Sequence, residues 1–265
     1  MTILQDKVAV IYGAAGAIGG AVAREFAAEG ASVCLTGRSK APLEALAREI
    51  VAAGGRAEAA VVDALDEPAI ERQLQSLVER SGRLDIMFNA IGVPETQVLG
   101  VPLLELELER FLLPIQSYTR SYFLTARLAA RHMLPRKSGV IMSVSALPAR
   151  SGTRLNGGYG PANAAKEAMA RDLSAELAPQ GLRVVNLRPH GMPETGTMRE
   201  VFDIKASAMG GLSWEQFTGY LAGTTHPRRV MVLKEVGAMA AFIASDKASG
   251  MTGTTVNMTM GALDD

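Results

Sequence analysis

The chain has 265 residues, of which 48% are hydrophobic, enough to bury one large core without calling for a second domain. Its 27 basic and 27 acidic residues cancel, and no block of like charge is present to hold a polyanion, so no nucleic-acid partner is expected. No apolar run approaches the ~18 residues that cross a bilayer, and the lone Cys34 has no internal disulfide partner, so a cytoplasmic protein without membrane contact is expected.

The run KVAVIY at 7–12 reads as a first buried strand, and YGAAGAIGGAVA carries it into a helix over 17–29. Gly13, Gly16 and Gly19 are spaced for a tight turn, a close approach to a pyrophosphate and the packing of a helix on a sheet, with Ile18 in the helix's first turn. The start of that helix would aim its N–H groups at phosphate. A second strand, SVCLT at 32–36, runs into Gly37, Arg38 and Ser39. An NAD site usually places a carboxylate there for the adenosine ribose. Arg38 beside Ser39 suits the 2′-phosphate of NADP instead, because a guanidinium pairs well with phosphate.

A helix over 40–53 follows, then a strand over 58–62 that ends at Asp63 and Ala64, and a helix over 67–80. The strand at 84–90 contains Asn89 and leads to Gly92. A helical stretch over 103–134 should break near Pro114, since proline lacks the N–H the helix needs. A strand over 139–145 ends at Ser145, a helix covers 160–178, and a strand covers 182–187. A helix over 233–245 and a strand over 254–260 close the chain. The strands are continuously apolar, as strands covered on both faces should be. Alternating strands and helices predict an α/β fold: a single doubly wound parallel sheet of about seven strands with helices on both faces, spanning 1–265.

Residues 192–229 break this rhythm with Met, Phe and Trp residues among glycines. A long insertion of this kind is expected to be a lid on the substrate side, with Trp214 and Phe217 facing the cleft; the alternative is a small helical unit covering the sheet edge. His132, His190 and His226 share no ligand spacing, so no metal site is expected.

Several of these segments resemble motifs of the short-chain dehydrogenase/reductase family, and the resemblance covers nearly the whole chain. YGAAGAIG is similar to the family's TGxxxGxG, with Tyr12 in place of Thr. VVDALD carries Asp63 where the family contacts adenine. FNAIG keeps Asn89 and Gly92 of the family's NNAG. RPHGMPET, with Pro189, Gly191 and Thr195, resembles the segment PGxxxT near the nicotinamide, with His190 inserted. The resemblance implies a Rossmann-type site for a nicotinamide cofactor, NADP(H) by the Arg38 argument. It also implies carbonyl reduction or alcohol oxidation on a fairly apolar small molecule. Homodimers or homotetramers would form through the helices containing 115–134 and 160–178.

The family's chemistry uses a tyrosine to move the proton, a lysine to lower its pKa, a serine to orient the carbonyl and often an asparagine. Tyr159 fits the tyrosine. Ser145 fits the serine, although Ala146 aligns about as well, and Tyr118 occupies the asparagine position. The stretch YGPANAAK departs further, placing Lys166 seven residues after Tyr159 where four is usual. That longer spacing resembles bacterial enoyl-acyl-carrier-protein reductases, but the register of QGLRVVNL argues otherwise. Gly181 lies eighteen residues after Asn163, the separation the family's lysine usually shows, and only fifteen after Lys166. Asn163 therefore holds the lysine position and would face the ribose. Position i+7 still returns close to the face of Tyr159, so Lys166 has a path back over Asn163. Both readings stay open, with Ser145, Tyr159 and Lys166 as the candidate catalytic set. A C=C reductase, a lyase or cyclase, and a cofactor-sensing protein without turnover are the rival functions.

Overall fold

Residues 2–264 are described by a computed structural model. Seven parallel strands form one sheet in the order β3-β2-β1-β4-β5-β6-β7. They are β1 (Val8–Tyr12), β2 (Ser32–Gly37), β3 (Arg56–Val61), β4 (Ile86–Asn89), β5 (Gly139–Val144), β6 (Leu182–Pro189) and β7 (Thr254–Met258). The strand order reverses direction between β1 and β4, and at such a switch point the loops leaving neighbouring strands part to open a crevice.

Alternation of side chains along each strand sorts the core into two halves. Ala9 and Ile11 of β1 join one cluster with α1 (Ala17–Ala28), α2 (Lys40–Ala52) and α8 (Leu233–Ala244). Val8, Val10 and Tyr12 join the other with α3 (Glu67–Ser81), α4 (Leu108–Met133) and α5 (Tyr159–Leu177). Helices thus cover both faces, as the apolar strands require.

Two local expectations are corrected. β3 begins earlier than the apolar run suggested and is largely exposed rather than buried, because it forms an edge of the sheet. Pro114 does not break α4, which runs through it. The lost N–H falls early in a 26-residue helix whose later turns are packed into the core, which offsets one missing bond.

Helix α5 is tied to the sheet by a buried ion pair. Glu167 accepts Arg188 Nε at 2.7 Å and Nη2 at 2.8 Å, and the two side chains are 3% and 4% exposed. A bidentate guanidinium–carboxylate pair of this kind satisfies both groups away from water and fixes the helix's register on β6.

The 192–229 segment contributes α6 (Gly196–Lys205) and α7 (Trp214–Gly223). Thr195 caps α6, its Oγ1 accepting from Met198 N, and Ser213 with Gln216 forms a capping box on α7. α6 packs against the loop after β4, and Lys205 at its end donates to Asn156 Oδ1 at 3.0 Å in the loop before α5.

Candidate active site

The sites named from sequence gather at the C-terminal edge of the parallel strands. After β1, Gly13 has φ of +81°, and a Cβ there would lie 2.6 Å from the Ala90 carbonyl oxygen. A Cβ on Gly19 would lie 2.3 Å from Gly13 O, so side chains at either position would break the turn or push α1 off the strand. Gly16 caps α1 with no side-chain hydrogen bond, and no acidic residue sits in the first turn, which includes Ile18. Gly16 and Ala17 are exposed, so the helix presents open N–H groups beside a bare backbone. A pyrophosphate fits that cradle.

At the end of β2, Arg38 is exposed and makes no ion pair with any described residue. Ser39 precedes α2 without capping it by side chain, and no acidic residue follows in the first turn. Beyond β3, Asp63 is exposed and its Oδ1 accepts from Leu65 N at 2.9 Å, while Ala64 is buried. Asn89 is fully buried: Nδ2 donates to Thr125 Oγ1 at 3.0 Å and Oδ1 accepts from Ile91 N at 3.3 Å. That pair of bonds shapes the loop carrying the exposed Gly92. On the other side, Pro189 ends β6, Gly191 follows, and Thr195 spends its hydroxyl on Met192 O at 2.8 Å while capping α6. His190 is buried, with Nε2 3.1 Å from Thr224 Oγ1, and burial lowers its pKa.

Tyr159 opens α5, and its backbone N–H donates to Asn156 O at 3.0 Å. Its side chain is half-buried, with the Tyr118 ring edge-on at 6.1 Å between centroids. Burial is the largest cause lifting the Tyr159 pKa well above 10, and the charges of Tyr118 and Glu95 add to it; hydrogen bonding to Asn163 pulls the other way. Asn163 is buried one turn on, where its Nδ2 also donates to Tyr159 O at 2.9 Å.

Lys166 is drawn into the interior. It is 1% exposed, so it does not point to solvent, and its ammonium donates to the Val144 carbonyl at 2.5 Å. The Tyr118 ring centroid is 5.5 Å from Nζ, and Lys166 is not among the groups that shift Tyr159. Burial alone lowers the Lys166 pKa to about 7. Tyr118 therefore has Tyr159 against its edge and the ammonium over its face.

Ser145 is also engaged within the interior. Its hydroxyl donates to Glu167 Oε1 at 2.7 Å and accepts from Asn186 Nδ2 at 2.8 Å, deep in the network around the Glu167–Arg188 pair. Its neighbour Ala146 offers no hydrogen-bonding side chain. In the insertion, Trp214 and Phe217 pack on Phe202 at 5.2 and 5.5 Å and on each other at 5.8 Å, and Arg199 stacks 4.4 Å over Trp214. These aromatics hold the insertion together, while Met198 and Leu221 are the residues that press on Gly191.

Two buried charged residues carried no sequence motif. Glu95, after β4, and Lys205, in α6, are both buried. Nothing in their sequence surroundings marks them, because Lys205 comes from the insertion and Glu95 from the loop after β4.

A family model described as enoyl-(acyl carrier protein) reductase matches residues 13–262. The chain is 30% identical to an uncharacterised oxidoreductase, YxbG, of Bacillus subtilis, over 96% of this chain and 89% of that protein. It is 29% identical to a hydroxynaphthalene reductase of Aspergillus fumigatus, over 94% of this chain and 90% of that one. Among solved structures, sorbitol-6-phosphate 2-dehydrogenase from Erwinia amylovora superposes with a TM-score of 0.90 at 25% identity, covering 97% of this chain and all of that one.

Proposed function

Since the chain belongs to the short-chain dehydrogenase/reductase family and is a short-chain oxidoreductase, we propose that it uses NADPH to reduce a carbonyl on a fairly apolar small molecule. The observation that carries this reading is the state of Tyr159. Tyr159 opens α5, burial holds its phenol protonated, and Asn163 stands one turn on in the place the family's lysine usually takes. A phenol held protonated across neutral pH can give its proton to a carbonyl oxygen, but a raised pKa is poorly matched to neutral pH and makes turnover slow.

When bound, NADPH supplies a hydride to the carbonyl carbon. The Tyr159 O–H gives its proton to the carbonyl oxygen as negative charge develops there, leaving an alcohol and a tyrosinate that regains its proton from solvent. Asn163, whose Nδ2 donates to the Tyr159 backbone carbonyl, is the one influence favouring the tyrosinate. Gly13, Gly16, Ile18 and Gly19 cradle the pyrophosphate, and Arg38 with Ser39 takes the 2′-phosphate. Asp63 and Ala64 border the adenine, Asn89 and Gly92 shape the ribose side, and Pro189, Gly191 and Thr195 form the wall by the nicotinamide. Ser145 and Lys166 support α5 and Tyr118 from beneath rather than touching substrate. The insertion at 192–229 closes over the substrate side, with Met198 and Leu221 at its inner surface.

The test is turnover of NADPH against a panel of aryl ketones, aliphatic ketones and enones. Ketone reduction that falls on the order of 10²-fold or more in Tyr159→Phe is expected, as for the loss of an acid–base group. Reduction of enones alone would favour the C=C alternative, and ketone reduction untouched by Tyr159→Phe would remove Tyr159 from its role.

A further inference from the structure

His190 stands inside the RPHGMPET segment, and the proposed chemistry leaves it without a task. It is 5% exposed and follows directly on β6. Its Nε2 lies 3.1 Å from Thr224 Oγ1, and the same hydroxyl donates to Leu221 O at 2.7 Å. A threonine hydroxyl carries a single hydrogen, so toward His190 it can only accept, and the ring donates from Nε2. Nδ1 is 3.4 Å from Gly191 O, too far for a strong bond. The bond to Thr224 is therefore the main tie of a buried imidazole, and it runs from the end of β6 to the end of α7.

Helix α7 depends on such ties. Alone among the described α-helices, it has no extended backbone packing on any single element of the fold. Near its start, Trp214 and Phe217 hold it to Phe202 of α6. Near its end, Leu221 and Thr224 lie three residues apart on one helical face, and both meet the loop after β6. A Cβ on Gly191 would lie 2.9 Å from Met198 Cε and 3.7 Å from Leu221 Cδ1, so the bare backbone there lets both side chains close in. Beyond α7, His226 N donates to Met260 O at 2.9 Å, which fixes the chain after the helix rather than the helix itself.

We infer that His190 is a positioning residue: by holding Thr224 it seats Leu221 against Gly191 and so sets the width of the substrate-side wall. This rests on the reading of that wall given above. A tightly seated Leu221 should favour small ketones, and a released α7 should admit bulkier ones. His190 acts here as a hydrogen-bond donor, so a neutral amide of the right reach should replace it. The amide of Gln extends about as far as Nε2, whereas that of Asn stops near Nδ1.

Hydrogen exchange on the cofactor-free protein reads the tie, and kinetics with NADPH on acetophenone and the bulkier benzophenone read the wall. In His190→Asn the amides of 217–224 should exchange roughly two- to tenfold faster, the range for one neutral hydrogen bond. The preference for acetophenone should fall by a similar factor, chiefly through KM. His190→Gln should restore both. Thr224→Val also loses the bond to Leu221 O, so it is measured in a cycle with His190→Asn, and the double variant should be perturbed by less than the sum of the singles. Additive effects, Gln behaving like Asn, or unchanged size discrimination in His190→Asn would each overturn the inference. Thr224 is exposed, so its variants should fold whatever happens at the buried ring. Should His190→Asn not fold, discrimination lost in Thr224→Val and kept in Thr224→Ser upholds the inference, and equal discrimination in the two overturns it. If neither ketone is reduced, the carbonyl reading fails separately. The exchange cycle then decides on the tie, a coupled cycle supporting it and an additive one counting against it.

Discussion

Replacing Lys166 by Met should make the protein more stable at neutral and acidic pH. The Lys166 pKa is about 7 in the folded state against an ordinary 10.5, and burial is its cause. Between those two values the unfolded chain binds more protons than the folded one, so this residue makes wild-type stability rise with pH and leaves it lowest below 7. At 1.36 kcal/mol per pKa unit, the difference corresponds to about 5 kcal/mol carried as a cost below pH 7. Met is similar in length and uncharged. It loses the ammonium's hydrogen bond to Val144 O and strands that carbonyl, at about 1–3 kcal/mol. The net gain is roughly 2–4 kcal/mol at about pH 6, fading as pH approaches 10. Urea melts of both proteins at about pH 6, 7.5 and 9 read the gap directly. A gap that does not shrink with rising pH, or a Met variant less stable than wild type at pH 6, would show that the ammonium is not the strained group described.

Arg38→Ala should weaken NADPH binding by about 1.5–3 kcal/mol while leaving NADH nearly unchanged, as titration of cofactor fluorescence would show; equal losses for both would remove Arg38 from the phosphate. Asn163→Lys should place an ammonium beside Tyr159 and lower its raised pKa, so alcohol oxidation should speed up at neutral pH and depend less on alkaline pH than in wild type. Identical pH–rate profiles for the two proteins would count against that placement.

The sheet was legible because its signal is repeated: seven apolar runs separated by helix-length segments leave few arrangements. The nucleotide side was legible for a related reason, since Gly13, Gly16 and Gly19 answer to backbone constraints that any such turn imposes. The chemistry was harder. Spacing placed Asn163 one turn after Tyr159, where the structure has it. Spacing could not show that Lys166 would be drawn inward to the Val144 carbonyl, because that depends on Tyr118 of another helix. Spacing matched Ser145 to the serine that orients a carbonyl, and could not show that its hydroxyl would be engaged by Glu167 beside Arg188. Glu95 and Lys205 meet through an insertion whose packing leaves no periodic trace. Proximity between residues from separate elements is a tertiary fact, and single-sequence patterns report mainly on local ones.

The Glu167–Arg188 pair makes α5 behave as a ratchet with one tooth engaged. Lys166 would come nearer to the place of Asn163 if the helix slid by about one turn, some 5.4 Å along its axis. Such a slip would pull Glu167 off Arg188 and leave two charges in an apolar interior, where breaking a buried pair costs about 3–5 kcal/mol. The helix therefore has no graded path between the two registers. Sliding α5 would carry Tyr159 along with Lys166, so chemistry in this pocket changes by replacing a residue at a fixed station such as Asn163.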